Sequence, residues 1–107
     1  MSAAYETTVD VDAPARVLER LPLEIRDFKP GWRLVRHARG EALEYSIPLN
    51  LRSWGGSIGI TVGTGSLHVV SRSRFPLRIL DWGQNARNVE VVSACIRRAH
   101  EQLSSTG

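Results

Sequence analysis

The residues of this chain best suited to chemistry lie between positions 71 and 85, in the stretch Ser71-Arg-Ser-Arg-Phe-Pro-Leu-Arg-Ile-Leu-Asp81-Trp-Gly-Gln-Asn85. Arg72 and Arg74 are two apart, so on a strand both guanidiniums leave the same face. A planar guanidinium can grip a carboxylate or phosphate through two parallel hydrogen bonds. Arg78 follows in a loop, and Asp81, Trp82 and Asn85 lead into a helix, whose first-turn amides also favour negative charge. This combination predicts an anion or small-ligand site where the last strand meets the last helix. Arg72, Arg74 and Arg78 would hold the charged group, Trp82 and Phe75-Pro-Leu77 would form an apolar lip, and Asp81 and Asn85 would line the margin. A plainer account fits the same residue types. Arg74 can pair with Asp81 or Glu90 and pin helix to sheet, Asp81 with Gln84 resembles a capping box, Gly83 eases the backbone, and Asn85 bonds loop amides. Capping alone is worth about 1 kcal/mol. For Asp81, Gly83 and Asn85 the structural account is the stronger.

Other reactive residues form no catalytic set. His37, His68 and His100 are far apart and lack metal-ligand spacing. His68 has the opposite strand parity to Ser71 and Ser73, so a serine nucleophile and histidine base there would project to opposite faces. Cys95 is the one cysteine, which excludes an intramolecular disulfide. Its place beside an apolar helical stripe marks it as an inert small hydrophobe. The run from Gly55 to Gly65 lacks the Lys-Ser/Thr ending and following helix of a phosphate loop. Trp32, Trp54 and Trp82 could form an aromatic surface, although a tryptophan beside a turn more often seals the rim of a core. Trp54, followed by Gly55 and Gly56, is the better interaction candidate. No cofactor and no metal are expected.

The elements that must position these residues read as β-α-β-β-β-β-α. Tyr5 to Val11 is a Thr/Val-rich strand, and Pro14 suits the first turn of a helix. Val17, Leu18 and Leu21 keep helical spacing until Pro22 interrupts; Leu23, Ile25 and Phe28 suggest a second short turn. Trp32 to His37 is a strand turned at Ala38-Arg-Gly40. Leu43, Tyr45, Ile47, Leu49 and Leu51 then alternate with polar residues, giving one buried and one wet face. Ser53 to Gly56 reads as a turn, Ile58, Ile60 and Val62 as the next apolar face, and Thr64-Gly65 as a tight hairpin. Leu67 to Arg74 is the last strand. Val89, Val92, Ile96, Ala99 and Leu103 form the stripe of a final helix, with residues 1–4 and 104–107 frayed. The fold class is therefore α+β, a curved antiparallel sheet packed on a long C-terminal helix, in the outline of TATA-binding-protein-like or helix-grip folds. Glycines at 55, 56, 59, 63 and 65 would ease the curvature.

The C-terminal third resembles the family known as domain of unknown function 1499. Ser71, Arg72, Ser73 and Arg74 match its Ser/Arg-rich strand, and Asp81-Trp-Gly83-Gln-Asn85 matches its Asp-x-Gly-x-Asn helix opening, with Arg87 and Val89 following suitably. Val11-Asp-Ala-Pro14 and Pro30-Gly-Trp32 agree more loosely. The family's Phe-x-Asp-Asp segment is missing, with Ile47-Pro-Leu-Asn-Leu51 thereabouts, and the loop between Arg74 and Asp81 is longer than the family pattern. The resemblance implies a divergent member and brings no activity with it.

At 107 residues the chain is one domain. The pI near 9.8 comes with a net charge of only +3, and Lys29 is the one lysine among 14 basic residues. Arginines are interleaved with acids rather than gathered in the dense stripe of a nucleic-acid binder. No apolar run approaches the ~20 residues a bilayer demands, and no leader is visible, so a cytoplasmic location is expected. Three readings follow. The first is a non-enzymatic binding or interaction module for an anionic small molecule or a protein partner. The second is a small helix-grip enzyme with a cavity under the last helix, drawing on His68, Tyr45 and Asp81. The third and least favoured is nucleic-acid binding by the outer sheet face through Trp32, Arg33, Arg36 and Arg39. An exposed edge strand leaves dimerisation open.

Overall fold

The computed structural model describes residues 4–50, 53–73 and 84–106. Five strands form one antiparallel sheet: β1 (Ala4–Asp10), β2 (Arg33–Ala38), β3 (Ala42–Asn50), β4 (Ser53–Gly63) and β5 (Ser66–Ser73). Helix α1 (Pro14–Phe28) separates β1 from β2, and α2 (Gln84–Thr106) follows β5. The spatial order is β1-β5-β4-β3-β2. Three successive hairpins place β2 to β5 side by side, and β1 joins the free edge of β5, as the expected β-α-β-β-β-β-α order requires.

Alternation decides which face is buried. Leu43, Tyr45 and Ile47 of β3, Ile58 and Ile60 of β4, and Leu67 and Val69 of β5 turn inward and are buried. Val17, Leu18, Leu21 and Ile25 of α1 and Val89, Val92, Ile96 and Ala99 of α2 cover them. Helix α1 packs against β4 and β5, α2 against β5 and β1, and the helices against each other. Each fully buried aliphatic side chain contributes about 1.5–3 kcal/mol, so this one-sided core holds the sheet. Among the described residues, its opposite face carries no helix.

Two local expectations are corrected. Pro22 does not interrupt α1, which runs unbroken from Pro14 to Phe28. The proline removes one donor to the Leu18 carbonyl and strains the turn, but Val17, Leu18, Leu21 and Ile25 are buried on both sides of it and hold the helix together. Ser53 to Gly56 is not a turn but the start of β4, with Ser53 opposite Asn50 and Trp54 opposite Leu49. Gly55 (φ +76°) absorbs a local distortion inside the strand, a backbone angle that only glycine adopts without strain. The expected hairpin at Thr64-Gly65 is present, Gly65 having φ +67°. Helix α2 continues to Thr106, past Ser104.

Candidate functional site

The open face of the sheet is built by residues whose parity opposes the core. In register across it, one row reads Ala4, Arg72, Ser57, Ser46, Arg33. The next reads Glu6, Val70, Gly59, Glu44, Arg36, and a third Thr8, His68, Thr61, Ala42, Ala38. A hollow of about 550 Å³ lies over this face, lined by Val35, Glu44, Ser46, Ser57, Thr61, Val70 and Arg72 together with strand backbone. Gly59 forms part of its floor, and a Cβ added there would meet nothing within 4 Å. None of the ion pairs among the described residues involves Arg33, Arg36 or Arg72.

The strand–helix junction is divided between the two faces. Asn85, 1% exposed, accepts a 2.7 Å hydrogen bond at Oδ1 from the fully buried Ser71 hydroxyl. The same Oγ accepts from Asn88 Nδ2 at 3.4 Å. Asn85 is thus a buried tie between α2 and β5 rather than a ligand group exposed at the helix end. Arg72, one residue on from Ser71, points the other way, into the hollow. The two predicted site residues that the structure describes are therefore not brought together. Arg74, Arg78, Asp81 and Trp82 lie outside the described residues, as do the apolar lip and the capping box.

The remaining candidates fall into separate places. His68 sits on the open face, its Nδ1 3.3 Å from the Thr8 hydroxyl and its Nε2 3.3 Å from Glu6. Tyr45 is on the core face, 4% exposed, and burial pushes its phenol up to about 12. No acid–base pair joins them. Under α2 the described interior is occupied by packed aliphatic side chains. Trp32 also turns inward, packs on the core, and meets Tyr45 with ring centroids 6.4 Å apart. It is consequently separated from Arg33 and Arg36 on the open face, while Arg39 approaches Glu19 at 4.0 Å. Cys95 is a buried free thiol whose titration burial pushes up to about 11, in keeping with an inert role.

Sequence reasoning missed two polar ties. Glu24 of α1 is 5% exposed and lies 3.2 Å from Arg98 of α2 and 3.6 Å from Arg20. Arg98 also stacks over Phe28, 5.6 Å from the ring centre. The Arg20–Glu24 spacing of four was readable as a helical pair, but the burial of Glu24 beneath α2 was not. Earlier in α1, Glu19 accepts hydrogen bonds from the Gly40 amide (2.8 Å) and from His37 Nε2 (3.0 and 3.1 Å). The Gly40 bond, reinforced by His37, holds the Glu19 carboxyl below its ordinary value.

Among the described residues no group of three His, Cys, Asp or Glu is placed to hold a metal ion, and no helix is long and apolar enough to cross a membrane. In comparison with known proteins, the chain matches no family model and no curated protein sequence.

Proposed function

We propose that the chain is a non-enzymatic binding module that takes an anionic ligand on the open face of its sheet, with Arg72 as the principal contact. One observation carries this reading: two helices bury one face of the sheet, while the described residues leave a hollow on the other, lined by Arg72 and with Gly59 in its floor. The volume lies within the range of small-molecule sites, roughly 300–1,000 Å³. Ser57 stands in register beside Arg72, and Thr61 lines the hollow further along β4, which suits a carboxylate or phosphate. The reading keeps the anionic ligand and Arg72 of the sequence-based expectation but moves the site from the helix end to the sheet.

A small enzyme fits less well, because it needs acid and base groups converging in one cavity and His68 and Tyr45 face opposite ways. Nucleic acid fits less well too. The described open face offers no Phe, Tyr or Trp on which bases could stack. The likeness of residues 71–89 to domain of unknown function 1499, the TATA-binding-protein-like or helix-grip outline and a cytoplasmic setting belong to the same proposal, and none of them supplies a ligand.

Calorimetric titration with inorganic phosphate tests it on wild type, Arg72→Gln and Gly59→Val. Binding by the wild type should weaken at least tenfold in both variants, one having lost the charge and the other having placed a branched side chain on the floor of the hollow. Gly59→Val should melt no lower than wild type, since its added atoms enter open space and valine suits a strand. Equal binding by all three proteins, or none by the wild type, refutes the reading.

A further inference from the structure

We infer that the open face is built for a small molecule with an anionic group at each end, one end held by Arg72 and the other by Arg33. The inference rests on the binding reading above and narrows its ligand class.

The observation behind it is the register. Arg72 of β5 faces Ser57 of β4, Ser57 faces Ser46 of β3, and Ser46 faces Arg33 of β2. A single row across four strands thus runs Arg-Ser-Ser-Arg, with the cations at its ends and the hydroxyl residues between. Neighbouring strands are ~4.8 Å apart, so the two arginine backbones stand about 14 Å apart. Flexible side chains leaning over the serines bring two guanidiniums to that separation or less. Standing upright from the sheet they are too far apart for one carboxylate to bridge, whereas a molecule with two acidic ends can occupy both.

Charge placement supports the assignment to these two arginines. Arg36, in the adjacent row, has the Glu44 carboxylate opposite it in register, although the two form no ion pair. Glu6 is 3.3 Å from His68, away from the row. Arg33 and Arg72 have no ion-pair partner among the described residues and face serine rather than a carboxylate. Beside the row, Val70 and the bare backbone of Gly59 in the next row, with Val35, give the hollow an apolar wall against which a hydrocarbon linker between two acids can lie. A long polyanion suits it less, because Glu44 lies within the hollow and Asp10 beyond it on β1.

Matched pairs of acids test this: succinate against butyrate, and suberate against octanoate, each titrated while following the backbone amides. Suberate should bind at least tenfold more tightly than octanoate and shift residues 33, 46, 57 and 72 together. The gain should be smaller for the short pair, which reaches both arginines only when they lean inward over the serines. Arg33→Gln should reduce suberate to the octanoate level and leave octanoate unchanged, whereas Arg33→Lys should retain part of the gain. Arg33 is exposed on an edge strand, so a preserved amide spectrum verifies the fold of both variants. Equal affinity for suberate and octanoate, or an Arg33→Gln protein that binds suberate as wild type does, overturns the inference. If the monoacids still shift residues 57, 59, 70 and 72 in that case, the simpler anion-binding proposal survives. An absence of any response removes both. A short oligonucleotide that binds more tightly than every diacid also overturns it, in favour of a nucleic-acid surface.

Discussion

Replacing Asn85 with alanine separates a structural tie from a ligand site at the strand–helix junction. Asn85 and Ser71 are 1% and 0% exposed, and they share a 2.7 Å hydrogen bond. Truncation leaves the Ser71 hydroxyl with Asn88 as a donor to it but without the acceptor for its own proton. A buried donor left unsatisfied costs about 1–3 kcal/mol, and the space vacated by the amide adds to it, so a loss of about 2–3 kcal/mol is expected. With a urea m-value of about 1.5 kcal/mol/M for a domain of this size, the midpoint should fall by about 1.3–2 M. Ser71→Ala should cost somewhat less, about 1–2 kcal/mol: it takes the donor from the buried Asn85 oxygen, but it vacates the space of one oxygen only. In the double variant the losses should be non-additive by roughly 1 kcal/mol, the coupling expected of direct partners. Urea melts of the four proteins, followed by tryptophan fluorescence, provide the measurement. Phosphate titration of Asn85→Ala, at urea-free conditions where it stays folded, should match the wild type. A stability loss below about 0.5 kcal/mol combined with a loss of anion binding would refute the reasoning and return the site to the helix end.

Further predictions concern the other buried or polar ties. Glu24→Ala should destabilise the domain by about 1–3 kcal/mol in a urea melt, less than a fully buried pair costs, because Arg98 and Arg20 can regain water; an unchanged midpoint would show the tie to be idle. Glu19, whose carboxyl is held below its ordinary value, contributes stability that is present above the unfolded value of 4.5 and lost as pH falls through the lower folded one. Melts from pH 6 to pH 2 should therefore show a smaller acid-side loss in Glu19→Gln than in wild type, and an identical decline would contradict the linkage. Cys95, buried and with its thiol pushed up to about 11, should react with an aromatic disulfide reagent only at the rate at which the domain opens, and so react faster in step with added urea; fast labelling of the native protein would place the thiol elsewhere.

Much of the fold was legible because its signals are local. The alternation from Leu43 through Ile47 and from Ile58 to Val62, and the stripe Val89–Val92–Ile96–Ala99, identify the buried faces without knowledge of partners. Pro22 misled because proline's cost is local while the packing that outweighs it comes from β4, β5 and α2. Gly55 misled because positive φ serves a distorted strand as well as a turn. For the candidate site, parity alone separated Ser71 from Arg72 and excluded a Ser–His pair on β5. What parity cannot supply is register between distant strands. Arg33 meets the row of Arg72 only through the stacked pairings of β2, β3, β4 and β5, and Glu24 meets Arg98 only once the helices pack. Both relationships belong to tertiary structure, so neither could be read from spacing.

The open-face account is tested most directly by an amide-resolved NMR titration of the wild-type domain with inorganic phosphate. The account predicts shifts that saturate together at residues 57, 59, 70 and 72, on the face of β4 and β5 opposite the helices, with residues 84–88 at the start of α2 unmoved. Saturating shifts confined to residues 84–88, with the sheet face silent, would contradict it.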